Sequence, residues 1–194
     1  MHESNMKYWE HARAKYPRYF TAPSKVVEFG SFNINGTVRD VFKCDHYIGV
    51  DWLAGPCVDV VSLAHEVNFD YQFDTVISAS MLEHDPYWEQ SLAKMISVMK
   101  DDGILLLSWG AAMNGPHCTW SAPDKKHHAL KVDKVLNFLR KARMFVDEFR
   151  YECGFMGTGK FDQYAVLIAF KDEKYSIEPH IIDERHPEDI EAST

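Results

Sequence analysis

Short apolar runs recur along the chain between polar or glycine-containing turns, which is the pattern of strands alternating with helices. The first run holds Val26 and Val27 and ends in an acid and a glycine. Later runs lie at residues 46–52, 58–61, 73–80 and 104–109. Because strands that alternate with helices pair in parallel, we predict five parallel strands. The last run is apolar throughout and predicts a central strand.

Apolar residues recur at helical spacing in other segments. Residues 5–16 place aromatic side chains at this spacing, and Pro17 ends the run. Residues 88–99 carry an apolar stripe at positions i, i+4, i+7 and i+11, and residues 132–139 carry one at i, i+3, i+4 and i+7. A further short helix is predicted at residues 37–42, directly after the turn that follows the first strand.

The last two apolar runs predict a different pairing. Residues 144–153 and 161–171 are joined by a short glycine-rich turn, so they are expected to pair antiparallel. The pattern as a whole predicts an α/β, Rossmann-like fold. It has a seven-stranded, mostly parallel sheet with helices on both faces and an antiparallel C-terminal hairpin strand.

A chain of 194 residues is expected to form one domain with a sizeable core. We assign that domain to residues 1–171, with an N-terminal helical cap at 1–23 and a core at 24–171. Residues 172–194 are predominantly polar and acidic, and two prolines interrupt them. They are predicted to form an acidic tail.

The net charge of −8 argues against a partner with a phosphate backbone, so we expect no nucleic-acid binding. No apolar run approaches the roughly 18 residues that a membrane span needs, and no basic start precedes an apolar segment as in a signal peptide. The four cysteines are scattered without a Cys-x-x-Cys pair, which favours reduced thiols in a cytoplasmic protein and no metal site. A homo-oligomer is left open.

Two acids follow neighbouring strands and mark the candidate ligand site. Glu28 ends the first strand, and Asp51 ends the second, roughly 20 residues later. An acid in the place of Asp51 can accept hydrogen bonds from both hydroxyls of a ribose, and Trp52 beside it can stack on a base. The alternative makes Asp51 a helix cap and Trp52 a core aromatic. The fourth strand ends in the small residues 78–80, where a ligand can approach the backbone.

Two histidines lie where they could face the same crevice. His84 follows the fourth strand, and His117 lies in a long loop at residues 110–130 that leaves the fifth strand. Either could act as a general base near neutral pH. The alternatives are a supporting role for His84 and a place on the loop surface for His117. The weaker candidates are His127 and His128.

One further segment imitates a functional motif. Residues 154–160 match the letters of a nucleotide phosphate loop, but Phe161 stands where that loop needs serine or threonine. A strand also follows where a helix should begin. We therefore interpret the segment as a hairpin turn.

Several motifs in order resemble the class I S-adenosylmethionine-dependent methyltransferases, especially the small type-11-like group. Residues 27–31, Val-Glu-Phe-Gly-Ser, resemble the first motif, and residues 48–51, Ile-Gly-Val-Asp, resemble the acidic end of the second strand. Residues 60–64 resemble the segment that borders the adenine, and residues 73–84 end in the typical Leu-Glu-His. The resemblance covers roughly residues 24–171.

This resemblance implies S-adenosylmethionine as the cofactor and a role for each matching position. Gly30 and Ser31 would approach the methionine moiety, with Glu28 near its ammonium group. Asp51 would hold the ribose hydroxyls. The full set of expected cofactor-binding residues is Glu28, Gly30, Ser31, Phe32, Asn33, Asp51, Trp52, Leu63, Ala64, Ser78 and Ala79. Within it, Trp52 and Leu63 would flank the adenine, and Ser78 and Ala79 would lie near the sulfonium.

The chain departs from the family pattern at three places. Phe32 and Ile34 stand where the turn usually has glycines, and Leu63 stands where an aspartate usually meets the adenine amine. We expect a methyltransferase acting on a small polar acceptor, such as a sugar or metabolite hydroxyl. A non-catalytic scaffold with a degraded cofactor site is the main alternative. A nicotinamide-dependent oxidoreductase is disfavoured because the Gly-x-Gly-x-x-Gly turn is absent.

Overall fold

The computed structural model describes residues 3–34, 36–112, 118–119, 122–126, 130–155, 161–171 and 180–183. In these residues the strands are β1 (Lys25–Phe29), β2 (His46–Asp51), β3 (Val60–Val61), β4 (Phe73–Ala79), β5 (Met99–Ala112), β6 (Cys118–Thr119), β7 (Ala122–Lys126), β8 (Phe145–Phe155), β9 (Phe161–Phe170) and β10 (His180–Asp183). The α-helices are α1 (Glu3–Lys15), α2 (Trp88–Val98) and α3 (Val132–Lys141), and short 3₁₀ helices span Pro17–Tyr19, Val38–Val41 and Leu82–His84.

One sheet organises the molecule, with the strand order β10-β8-β9-β5-β4-β1-β2-β3. The five strands from β1 to β5 pair in parallel, and β9 is antiparallel to both β5 and β8. The predicted fold class is confirmed, including the antiparallel C-terminal hairpin. Strand β10 comes from the predicted acidic tail and pairs in parallel with β8, so four tail residues extend the sheet.

Helices cover both faces of the sheet, as predicted. Helices α2 and α3 pack on one face, where Leu92, Met95, Val135 and Leu139 are fully buried. Helix α1 packs on the other face, and its buried residues are Tyr8, Trp9 and Ala12. The apolar stripes seen in the sequence therefore face the sheet, because only burial of these side chains holds a helix of this length in place.

The structure corrects two of the predicted helices. Helix α2 ends at Val98, and Met99 already belongs to β5, where it pairs with Phe73. The predicted helix at 37–42 is only a 3₁₀ turn, Val38–Val41, with the Thr37 side chain accepting the Arg39 N–H. A single turn leaves too few internal hydrogen bonds to offset the cost of starting an α-helix, and it contains two β-branched valines.

The segment after β5 is more regular than predicted. Strand β5 continues to Ala112, and β6 and β7 form a small antiparallel pair inside the stretch that we predicted to be a structureless loop. Polar strands of this length carry no hydrophobic alternation, so the sequence pattern could not show them.

We expect Leu92→Ala to lower the free energy of unfolding by about 2–5 kcal/mol, because it leaves a cavity in the fully buried face of α2. Urea denaturation would measure the loss. The control is Gln90→Ala on the exposed face of the same helix, which should change stability by no more than about 0.5 kcal/mol. Equal losses in the two variants would contradict the packing described here.

Candidate functional site

A cleft opens at the carboxyl ends of β1, β2 and β4. This is the edge at which open α/β sheets bind ligands. The lining residues are Gly30, Val50, Asp51, Trp52, Ser62, Leu63, Ala64, His65, Met81, His84, Asp85, Pro86 and Tyr87.

Asp51 provides the carboxylate of the cleft. It ends β2 and is half-buried, and its two oxygens accept the backbone N–H groups of Phe32 (3.2 Å) and Leu53 (3.1 Å). Burial raises the pKa of Asp51 above its ordinary value, and the backbone N–H groups oppose that rise. A carboxylate has about four acceptor positions, so these two bonds leave capacity for ligand hydroxyls. No helix follows β2, so Asp51 is not a helix cap.

Aromatic side chains form the rim of the cleft. Trp52 is 41% exposed and Tyr87 is 48% exposed, so neither is a core residue. The His65 ring lies against the Tyr87 ring, with 4.8 Å between their centroids. Leu63 and Ala64, as expected from the sequence, contribute the apolar wall. A planar aromatic ring attached to a polyhydroxyl group matches this combination of flat apolar surfaces and the Asp51 carboxylate.

The turn at residues 30–33 hydrogen-bonds to the protein through each of its backbone N–H groups. The bonds run from Gly30 and Ser31 to the carbonyl of Val50 (2.8 and 3.1 Å), from Phe32 to Asp51 Oδ2 (3.2 Å) and from Asn33 to the carbonyl of Pro56 (3.0 Å). The turn is therefore tied to the end of β2 and to the loop beyond it.

Only Gly30 of this turn lines the cleft. Its φ of +82° lies in the region that favours glycine, and a Cβ there would lie 2.5 Å from the Cβ of Met81. The Ser31 side chain is buried at 2% exposure, and the Phe32 ring packs against the backbone of Gly55. The Asn33 side chain accepts the Gly36 N–H.

Glu28 does not line the cleft. Its side chain is 3% exposed, and its carboxylate accepts the hydroxyl of Tyr47 (2.7 Å). Burial raises the pKa of Glu28 to about 7, although the Tyr47 hydroxyl opposes that rise. Burial and the nearby Glu28 raise the pKa of Tyr47 well above its ordinary value, so the phenol remains a donor. Arg39 fixes Tyr47 by donating to its carbonyl (2.7 Å).

The two acids share a face of the sheet but are separated by packed atoms. Glu28 pairs with Gly49, which lies two residues before Asp51, so both side chains project to one side. A Cβ at Gly49 would lie 2.1 Å from the carbonyl oxygen of Cys57 and 2.6 Å from the Oγ of Ser31. The surface between the two carboxylates is therefore filled, and the structure brings only Asp51 to the cleft.

Of the remaining residues that the sequence predicted at the site, some line the cleft and others do not. Ser78 is fully buried and Ala79 is half-buried beside the core on the α1 face, and neither lines the cleft. His84 does line it. His117 lies outside the described residues, as do His127 and His128. The structure thus assembles Gly30, Asp51, Trp52, Leu63, Ala64 and His84 at one site.

Sequence reasoning missed several cleft residues. His65, Met81 and Tyr87 line the cleft from loops, and no periodicity marks them. Asp85 also lines it while accepting the Tyr87 N–H (2.8 Å) and the Ser91 hydroxyl (2.5 Å), which anchors the start of α2. An aspartate three residues before a helical stripe is the available signal for such an anchor.

Glu83 is a second buried acid, directly before His84. It is 2% exposed, and burial raises its pKa to about 7. The backbone N–H groups of Glu83 itself and of Gly110, near the end of β5, oppose that rise. The Oε2 atom of Glu83 is buried without a hydrogen-bond partner in the described residues, and Glu83 does not line the cleft.

The described residues contain no group of three His, Cys, Asp or Glu side chains that could hold a metal ion. Within the same part of the chain, no helix has the length and hydrophobicity that a bilayer crossing requires.

Solved structures of methyltransferases resemble this chain. A putative methyltransferase from Bacillus halodurans matches with a TM-score of 0.67 and 14% identity, covering 87% of this chain and 99% of that one. The 1,6-didemethyltoxoflavin-N1-methyltransferase of Burkholderia thailandensis, solved with 1,6-didemethyltoxoflavin and S-adenosylhomocysteine, matches with a TM-score of 0.64 and 16% identity, covering 87% and 78%. The magnesium protoporphyrin IX methyltransferase of Synechocystis, with bound S-adenosylhomocysteine, matches with a TM-score of 0.59 and 12% identity, covering 87% and 84%.

These likenesses show that the chain has the class I methyltransferase fold, as the sequence motifs predicted. S-adenosylmethionine is the cofactor associated with this fold, because two of these neighbours hold its demethylated product. No protein-family model matches the chain, and no curated protein does.

We expect Glu28→Gln to remove a pH-dependent loss of stability. A carboxyl whose pKa rises from 4.5 to about 7 on folding binds its proton more tightly in the native state, so stability falls as pH rises from about 4.5 to 7. The neutral glutamine does not titrate in this range. Between pH 5 and pH 8, the parent protein should therefore lose about 1–3 kcal/mol more of its free energy of unfolding than the Glu28→Gln variant does.

Urea denaturation at both pH values would measure this difference, with the exposed Glu66→Gln as the control. An identical pH dependence in parent and Glu28→Gln protein would mean that Glu28 is ionised throughout this range.

Proposed function

We propose that this protein is an S-adenosylmethionine-dependent methyltransferase that acts on a small polar acceptor, such as a sugar or metabolite hydroxyl. The observation that carries the proposal is the cleft at the carboxyl ends of β1, β2 and β4, which Asp51 lines together with Trp52, Leu63 and Ala64. This arrangement occurs within the class I methyltransferase fold. The described residues fit the nucleoside part of the cofactor.

Each cleft residue has a separate role in this proposal. Asp51 accepts hydrogen bonds from the two ribose hydroxyls with the acceptor capacity that Phe32 and Leu53 leave. Trp52 and Leu63 hold the adenine between them. The cofactor supplies an activated methyl group on a sulfonium. The protein's contribution is therefore mainly to align the acceptor and to exclude water.

A hydroxyl acceptor must also lose a proton, and a histidine in the cleft is the proposed base. His84 lines the cleft from the 3₁₀ turn Leu82–His84. His117 is the other candidate from the sequence and lies outside the described residues. His65 also lines the cleft, but its ring packs against Tyr87, so we take His84 as the base.

The wider setting of the reaction is part of the same proposal. Cys44 and Cys57 are free thiols, which suits a reducing, cytoplasmic compartment. A net charge of −8 favours a small acceptor over a nucleic acid. The catalytic domain comprises residues 1–171, and the oligomeric state is left open.

A non-catalytic binding module remains the second candidate, and one observation favours it. The N–H groups of residues 30–33 all bond within the protein, and Met81 lies against Gly30. The same observation disfavours a nicotinamide-dependent enzyme, because that class needs free N–H groups in this turn for its pyrophosphate. Turnover of S-adenosylmethionine with a mixed panel of hydroxyl, amine and carbon acceptors separates catalyst from binding module.

We expect Asp51→Ala to weaken binding of S-adenosylhomocysteine by about 1–3 kcal/mol, because two charge-assisted hydrogen bonds to the ribose are lost. This corresponds to roughly a 5- to 150-fold rise in Kd by isothermal titration calorimetry. The matched control, Asp70→Ala, removes an exposed carboxylate away from the cleft and should leave Kd unchanged. An unchanged Kd in Asp51→Ala would remove Asp51 from the site.

We expect His84→Asn to lower kcat by about 10²- to 10⁴-fold with an accepted hydroxyl substrate, because the variant lacks a base near neutral pH. The acidic limb of the pH–rate profile should disappear as well, a change that mere loss of packing would not cause. The control is His46→Asn at the amino end of β2, whereas the cleft lies at the carboxyl ends of the strands. A parent-like profile in His84→Asn would exclude His84 as the base.

A further inference from the structure

The two halves of the proposed cofactor site differ in what they offer a ligand. The nucleoside half consists of Asp51, Trp52, Leu63 and Ala64, which line the cleft. The amino-acid half is the region of Glu28 and the turn at residues 30–33, where the methionine moiety was expected. Glu28 and residues 30–33 all lie within the part of the chain that the structure describes, whereas Asn35, beyond the turn, does not.

The backbone of the amino-acid half is already hydrogen-bonded. Gly30 and Ser31 both donate to the carbonyl of Val50, and the next two N–H groups of the turn donate to Asp51 and to a loop carbonyl. A ligand carboxylate would normally be bound by free N–H groups in a turn of this kind. To bind one here, the turn would have to break bonds that hold it to β2.

The two buried polar side chains of the amino-acid half do not face the cleft. The Glu28 carboxylate accepts the Tyr47 hydroxyl and is 3% exposed, so it is not presented to a ligand ammonium group. The Ser31 hydroxyl has no hydrogen-bond partner among the described residues, but its side chain is 2% exposed and packs over Gly49. Neither residue lines the cleft.

Met81 packs against the turn. Its Cβ and Cγ would lie 2.5 and 2.7 Å from a Cβ on Gly30, so its side chain covers one side of Gly30 where both residues line the cleft. The absence of a side chain at Gly30 therefore makes room for Met81. A ligand extending past the ribose must displace Met81 or pass around it.

We propose that recognition is carried by the nucleoside half alone, so that the cleft is an adenine-nucleoside site with little selectivity for the group attached at the ribose 5′ carbon. The proposal rests on the proposed function, because it takes the cofactor to be the nucleoside-bearing ligand of this cleft. Asp51 accepts hydrogen bonds from the ribose hydroxyls, and Trp52 and Leu63 enclose the base. The methionine moiety of a bound cofactor adds little affinity.

Calorimetry on the full-length parent protein tests this with S-adenosylhomocysteine, 5′-methylthioadenosine and adenosine. We expect the three Kd values to lie within about tenfold of one another, which is about 1.4 kcal/mol. A preference of 100-fold or more for S-adenosylhomocysteine would overturn the inference and leave the proposed function standing. Failure of all three ligands to bind would defeat both.

A side-chain truncation tests the part assigned to Met81. In Met81→Ala the turn becomes accessible, so the Kd for S-adenosylhomocysteine should fall at least threefold relative to that for adenosine. Met6→Ala, on α1 at the other face of the sheet, is the matched control and should leave the ratio unchanged. An unchanged ratio in Met81→Ala would show that Met81 does not cover the amino-acid half. The ligand series on the parent protein remains decisive if this variant does not fold.

Discussion

The end of β2 holds the turn that follows β1, and the geometry of the cleft depends on that attachment. The Val50 carbonyl accepts two successive N–H groups of the turn, and the Asp51 carboxylate accepts the next one. The chain can make this bend because Gly30 adopts a φ of +82° without the steric cost that a side chain would bring. One carboxylate thus shapes the turn and faces the ligand cleft at the same time.

The two acids at the strand ends show how burial separates residues that look equivalent in sequence. Glu28 is 3% exposed and bonded to Tyr47, and its pKa rises to about 7, mainly because burial disfavours the charged form. Asp51 is only half-buried and lies at the cleft. Two acidic residues near the carboxyl ends of neighbouring strands therefore differ in place: Glu28 belongs to the core and Asp51 to the site.

Loops, more than helices, build the walls of the cleft. In the described residues, β2 and β3 are each followed by turns without an α-helix, and the residues around His65 come from one of these turns. Another part of the wall comes from the segment between β4 and α2, where Asp85 accepts the Tyr87 N–H and the Ser91 hydroxyl at the start of the helix. Rigid strands position the carboxylate, and anchored loops provide the surfaces around it.

The sequence by itself determined the parallel sheet, the helices on its two faces, the terminal hairpin and the place of Asp51, Trp52, Leu63 and His84 after their strands. These features follow from local periodicity and from chain order, which need no knowledge of distant contacts. Only the tertiary structure decided that Ser31 and Cys57 fill the surface between the two acids, that Met81 covers Gly30, and that residues 180–183 extend the sheet. Each of these depends on which atoms meet across strands far apart in the chain, and hydrophobic patterning carries no record of that packing.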